Sequence, residues 1–135
     1  MKETIKNYYL KSSPVYGLNK PCVGKNELTI AAELAAIVGG RTEVQAGYGL
    51  GRIDILSNEW LIEAKYGGST NEKNALGQVL VYAQSMKWQG KLGLAIISDK
   101  YPHPGIIKFC KDNFISIFHY NLNTYKWSLL YENVQ

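Results

Sequence analysis

A mixed α/β fold, with a central sheet flanked by helices, is predicted by three features of the 135-residue sequence. The first is ELTIAAELAAIV, rich in good helix formers and stopped by Gly39-Gly40. The second is a set of short apolar runs bounded by glycine, proline, asparagine and serine, which read as strands. The third is the order of these patterns: helix, three strands, helix, strand, helix, strand, strand. That order describes a mixed sheet with helices packed on it.

The elements follow in turn. The stretch through Pro21 carries turn signals (SSP, YGLNKP) and little periodicity, which makes residues 1–23 an extension of the domain. A first helix is expected from about Asn26 to Val38 and a short strand from Arg41 to Gln45. AGYGLG makes a glycine-rich turn, Arg52 to Leu56 a second strand, and Ser57 to Glu59 a tight turn into a third strand, WLIEAK. YGGSTNEK reads as a polar loop. Asn74 to Gln89 reads as a long helix with Ala75, Val79, Tyr82 and Met86 at helical spacing. LGLAIIS is a buried strand, PHPGIIKFCKDN a proline-led short helix, ISIFHY a strand, and YKWSLLY a last strand within residues 121–135. No repeat, low-complexity tract or linker interrupts residues 1–135, so a single domain is expected.

Composition narrows the function classes. A hydrophobic fraction of 46% supplies a real core and excludes global disorder. No apolar run approaches the ~20 residues needed to cross a bilayer, and the polar KETIKN after Met1 is no signal peptide. A soluble intracellular protein with no membrane partner is the expectation. Cys22 and Cys110 stand far apart without C-x-x-C spacing, so they read as reduced thiols and give no support for zinc. The net charge of +4 is compatible with nucleic acid. Lys2, Lys6, Lys11, Lys20 and Lys25 are interleaved with Tyr8, Tyr9 and Tyr16. They fit either a phosphate-neutralising, base-stacking arm or a solvated arm whose tyrosines pack on the domain or a partner subunit.

The chemistry concentrates in RIDILSNEWLIEAK, residues 52 to 65, which places Asp54, Glu63 and Lys65 in two apolar strands. A buried carboxylate is costly unless it is paired, hydrogen-bonded or bound to a metal. An even loop at the turn, such as Asn58-Glu59, sets Asp54 opposite Glu63, and alternation puts Glu63 and Lys65 on one face. Two carboxylates and an ammonium then converge. Two oxygen donors suit Mg²⁺, and a neighbouring lysine can activate water or offset charge on phosphoryl oxygens. The same three residues also fit an exposed cross-strand salt bridge worth ~0–1 kcal/mol.

Two helices add candidates. On a wheel of ~100° per residue, Ile30, Ala31, Leu34, Ile37 and Val38 make one apolar face with Glu27 near its middle. Glu33 falls to the side, is expected to reach water, and is held in reserve as the alternative helix acid. Glu27 therefore points inward, although a first-turn acid also serves the helix dipole. On the second helix Gln78 and Tyr82 are four apart and share a face, a spacing that an amphipathic core helix also produces.

Together these residues resemble the PD-(D/E)xK nuclease superfamily: an acid on helix one, D…ExK on a hairpin, then Q-x-x-x-Y on the next helix. QVLVY is similar to the motif of its RecB-like branch, and GKNELTIAAELAAIVGG to the start of small resolvase-like members. The resemblance covers roughly Gly24 to Tyr120 and implies a restriction-endonuclease-like core, αβββαβ plus a C-terminal helix and strands. It implies that Asp54 and Glu63 bind Mg²⁺, with Mn²⁺ as a substitute, and that Glu27 helps directly or through a water. Lys65 would assist the nucleophile, while Gln78 and Tyr82 would position the site or the nucleic-acid backbone. The chain departs from the pattern at Ile53, where many members have proline.

The function expected is a Mg²⁺-dependent DNA endonuclease of the homing, junction-resolving, restriction or repair type. With one site per chain, cutting two strands calls for a homodimer or homotetramer. An inactive nucleic-acid-binding or assembly module on the same fold is the alternative, as is an ordinary α/β binding domain. GYGLG lacks the G-x-G-x-x-G spacing and the following helix of a dinucleotide fingerprint, and reads as a hairpin tip flanked by Arg41 and Arg52. His103 and His119 have no nucleophile or ligand at telling spacing, and Trp60, Trp88 and Trp127 read as core or interface.

Overall fold

The computed structural model describes residues 26–134, so the basic, tyrosine-bearing arm and Cys22 lie outside the described residues. Helix α1 spans Glu27–Val38. Asn26 caps it, its side-chain oxygen accepting the Thr29 N–H at 2.9 Å. Gly39, at φ 73°, ends it, with the Gly40 N–H returning to the Ala35 carbonyl at 2.7 Å. Strands β1 (Arg41–Gln45) and β2 (Arg52–Leu56) flank a 3₁₀ turn at Gly47–Gly49. Strand β3 (Trp60–Tyr66) leads into helix α2 (Ser69–Met86), followed by β4 (Lys91–Ser98), helix α3 (Pro104–Asp112), β5 (Ile115–Asn121) and β6 (Lys126–Tyr131).

The six strands form one sheet in chain order. Pairs β1–β2, β2–β3 and β5–β6 are antiparallel, whereas β3, β4 and β5 run parallel. The two parallel crossovers carry α2 and α3 to the same face, as crossovers of one hand along a monotonic strand order must. There Ala75, Leu76 and Val79 of α2 and Ile106 and Cys110 of α3 cover Leu94, Ile96, Ile115 and Ile117. Helix α1 covers the other face, where Ile30, Leu34 and Ile37 pack on Ile55, Ile62, Ala64, Ala95 and Phe118. Each fully buried isoleucine or leucine contributes roughly 1.5–3 kcal/mol. These residues surround β3 on both sides, which is how the fold accommodates polar groups on that strand.

Helix α2 differs from its sequence expectation. It begins at Ser69, inside the stretch read as a polar loop, and ends at Met86 rather than Gln89. Gly68 reaches φ 134°, and Glu72 returns one carboxylate oxygen to the Gly68 N–H at 3.1 Å, closing the first turn. At the other end Lys87 is left-handed, φ 51°, and its N–H and that of Trp88 return to the helix. Among the described residues no helix is long and apolar enough to cross a membrane.

Candidate metal-carboxylate site

Strands β2 and β3 are joined by the two-residue turn Asn58-Glu59. The Ser57 N–H meets the Trp60 carbonyl at 2.9 Å, and the Ser57 hydroxyl accepts the N–H groups of Glu59 and Trp60. This even loop sets Leu56 opposite Leu61 and Ile55 opposite Ile62. Continued one step, the register faces Asp54 with Glu63.

At that step carboxylates take over from backbone carbonyls. The Asp54 N–H donates to Glu63 Oε2 at 2.8 Å, and the Ala64 N–H donates to Asp54 Oδ2 at 2.8 Å. The next N–H along this edge of β3, that of Tyr66, donates to Glu27 Oε2 at 3.3 Å. An open strand edge carries donors that must find acceptors. Three acids from three elements supply them, and so are brought to one edge. Ile53 and Ile55 join different clusters, Ile55 under α1 and Ile53 against Tyr82 of α2. Strand β2 thus turns about Asp54.

The electrostatics follow from crowding. Glu63 is 1% exposed. Burial, then the neighbouring Asp54 charge, push its carboxyl up to about 9. Asp54 is also raised, chiefly by burial; hydrogen bonds from Ala64 and from the Glu63 carboxyl pull the other way. In the hydrogen bond between the two carboxyl groups Glu63 is the donor, which raises Glu63 and lowers Asp54. Lys65, half-buried on the same face as Glu63, lowers both.

Helix α2 completes the surroundings. Tyr82 is 6% exposed and packs with Ala46, Ile53 and Leu61. Burial, then the charges of Glu63 and Asp54, raise its hydroxyl. Gly51, at φ 131°, makes room for it: a Cβ there would stand 2.7 Å from the Tyr82 hydroxyl. One turn earlier Gln78 is half-buried, and its Oε1 is buried without a hydrogen-bond partner.

Two expectations about α1 are corrected. Glu33 is buried, 7% exposed, rather than open to water, whereas Glu27 is half-buried. The buried residues Ile30, Ala31, Glu33, Leu34, Ala35 and Ile37 span an arc of roughly 200° at ~100° per residue, far wider than the single face assumed. Glu27 nevertheless reaches β3, where it accepts the Tyr66 N–H. Among the described residues no three His, Cys, Asp or Glu side chains form a metal-holding group. Asp54 and Glu63 meet, and Glu27 stands apart from them on the Tyr66 N–H. Two carboxyl groups offering hard oxygen donors are of the kind Mg²⁺ takes, since it commonly binds one or two carboxylates and keeps waters.

Sequence reasoning missed Glu72, which is buried with Oε1 unpartnered and whose charge, after burial, helps push the Cys110 thiol up to about 12. An acid four residues after a double glycine is the clue it offered. His119 is buried, its Nε2 3.0 Å from the Ser98 hydroxyl, and burial lowers its pKa. His103 caps α3, its Nδ1 accepting the Gly105 N–H at 2.9 Å. Trp60 and Trp127 are buried core residues and Trp88 is half-buried. Comparison with protein-family models, curated proteins and solved structures gives no match.

Proposed function

We propose that this chain is a divalent-metal-dependent endonuclease that hydrolyses phosphodiester bonds in DNA, with the restriction-endonuclease-like core of the PD-(D/E)xK superfamily. The observation that carries the reading is the meeting of Asp54 and Glu63 where the β2–β3 ladder gives way, with Lys65 two residues further along the same strand face. A salt bridge between exposed side chains does not need Glu63 buried and protonated beside a second acid. A divalent cation would account for the crowding, because its charge would offset two carboxylates that burial and mutual repulsion otherwise hold back from ionisation.

Asp54 and Glu63 would hold Mg²⁺ or Mn²⁺, with Glu27 reaching it through a water. When bound, the metal supplies charge stabilisation for phosphoryl oxygens and lowers the pKa of water. Lys65 carries its ammonium beside the carboxyl pair, where it orients the attacking water and offsets charge as it builds on the phosphate. Tyr82, packed against Ile53 and Leu61 beside Gly51, and Gln78, with a buried oxygen that needs a donor, would position Lys65 and the strand being cut. Each chain has one such site, so cleavage of both strands of a duplex or junction requires a homodimer or homotetramer.

The second reading is a nucleic-acid-binding module without activity. It draws on the engagement of all three acids by backbone N–H groups, an arrangement stable without a cation. Incubating supercoiled plasmid and a four-way junction with Mg²⁺ or with EDTA, for wild type and Lys65→Ala, decides between them. Mg²⁺-dependent cutting that Lys65→Ala lacks supports the nuclease. Binding without cutting by the folded wild type supports the module.

A further inference from the structure

The β1–β2 tip carries a residue that the carboxylate site does not use. Tyr48 is 90% exposed, yet its backbone lies at φ 60°, ψ 24°. That is the left-handed region, which a bulky residue occupies only under constraint. The constraint is visible on both sides. A Cβ at Gly47 would stand 2.9 Å from the Ser85 carbonyl oxygen, and one at Gly51 would stand 2.7 Å from the Tyr82 hydroxyl. The tip is thus pressed onto α2 beside Ser85 and Tyr82, and the Tyr48 ring is held outward with almost no packing in return. Beside it lies an open groove of about 590 Å³, lined by Leu50, Leu80, Val81, Gln84, Ser85 and Lys87. Lys87 is the charged residue in that lining, and no acid repels a phosphate there.

We propose that Tyr48 is a nucleotide-stacking residue, which takes an unpaired base against its ring and so positions the strand whose phosphate lies at Asp54 and Glu63. The inference rests on the nuclease reading and adds a substrate class: DNA with an unstacked nucleotide close to the cut, as at a branch or bulge. Gly51, at the base of the tip, stands three residues before Asp54, so the chain between them spans at most about 10 Å. Both ring faces are open, and an aromatic face stacks on any base irrespective of sequence. In paired duplex the bases are already stacked, so the ring gains nothing from them.

Tyr48→Gly tests this, because glycine relieves the left-handed backbone while removing the ring. Binding is measured with Ca²⁺ in place of Mg²⁺ on a four-way junction, a duplex with a single 2-aminopurine bulge, and a plain duplex. The expected result is a variant that melts at a higher temperature, binds junction and bulge about tenfold more weakly, binds plain duplex as before, and no longer quenches the 2-aminopurine. Tyr48→Phe keeps both the binding and the quenching. Unchanged junction and bulge binding by Tyr48→Gly, with wild type binding well, overturns this inference and leaves the nuclease reading standing. Loss of self-association by Tyr48→Gly in sedimentation without DNA also overturns it and makes the groove a contact between copies. Failure of wild type to bind or cut any of the three DNAs overturns both.

Discussion

Glu63 accepts the Asp54 N–H through Oε2 at 2.8 Å, and its own carboxyl, pushed up to about 9 by burial and the Asp54 charge, hydrogen-bonds to the Asp54 carboxyl. Asp54 in turn accepts the Ala64 N–H at 2.8 Å, so each acid is held by the other acid's strand. Such a pair is preorganised by the two strands themselves.

The first consequence concerns Glu63→Gln. An amide accepts the Asp54 N–H and donates to the Asp54 carboxylate, as the protonated acid does. The variant should melt at or above the wild-type temperature at pH 8 without metal. On the nuclease reading its cleavage falls roughly 10²–10³-fold, the scale of losing one preorganised electrostatic group. Parallel melting curves and cleavage rates check this, and a variant that melts well below wild type contradicts it.

Stability should depend on pH with a definite sign. The Glu63 carboxyl rises from 4.5 to about 9 on folding, so the native state binds more protons than the unfolded chain between those values. Its contribution to stability is fully present below 4.5 and is lost as pH rises toward about 9. Mg²⁺ should oppose the loss, raising the melting temperature more at pH 8.5 than at pH 6. Denaturation across that range with and without Mg²⁺ measures both effects.

Asp54→Ala and Asp54→Asn should separate in stability while losing activity together. Alanine leaves the Ala64 N–H without its acceptor in a part-buried edge, a penalty of about 1–3 kcal/mol. Asparagine keeps an acceptor there. Urea denaturation should therefore rank wild type and Asp54→Asn close together, with Asp54→Ala clearly below them.

Gly51→Ala should destabilise the chain by about 1–3 kcal/mol. The new Cβ meets the Tyr82 hydroxyl at 2.7 Å, on a backbone at φ 131° that only glycine adopts readily. Adding Tyr82→Phe should restore part of the loss, since it removes the clashing oxygen. Equal losses in the single and double variants would contradict the contact.

Much of this was legible because it is local. The hairpin follows from period-two alternation in RIDIL and WLIEAK, and its register from the two-residue turn Asn58-Glu59. The Asp54–Glu63 facing depends on nothing further away. What escaped depends on packing between distant segments. Glu33 read as exposed because α1 was assigned one buried face, whereas its buried arc is far wider. The start of α2 was hidden because Ser69, Thr70 and Asn71 are weak helix formers, and the first turn is closed by Glu72 on the Gly68 N–H. Glu27 could be proposed from its helix face, but its acceptor role toward Tyr66 joins residues 39 positions apart. The pressing of the Gly47–Gly51 tip onto α2 left no local pattern at all.

The most direct test of the carboxyl pair as a metal seat is calorimetric titration of the full chain with Mn²⁺ at pH 7, in two buffers of different ionisation enthalpy. A bound metal must displace the Glu63 proton, so the heats should differ by the release of about one proton per ion. Glu63→Gln should show no such difference. Binding with no buffer dependence, or no binding at millimolar metal by the folded protein, would contradict the account.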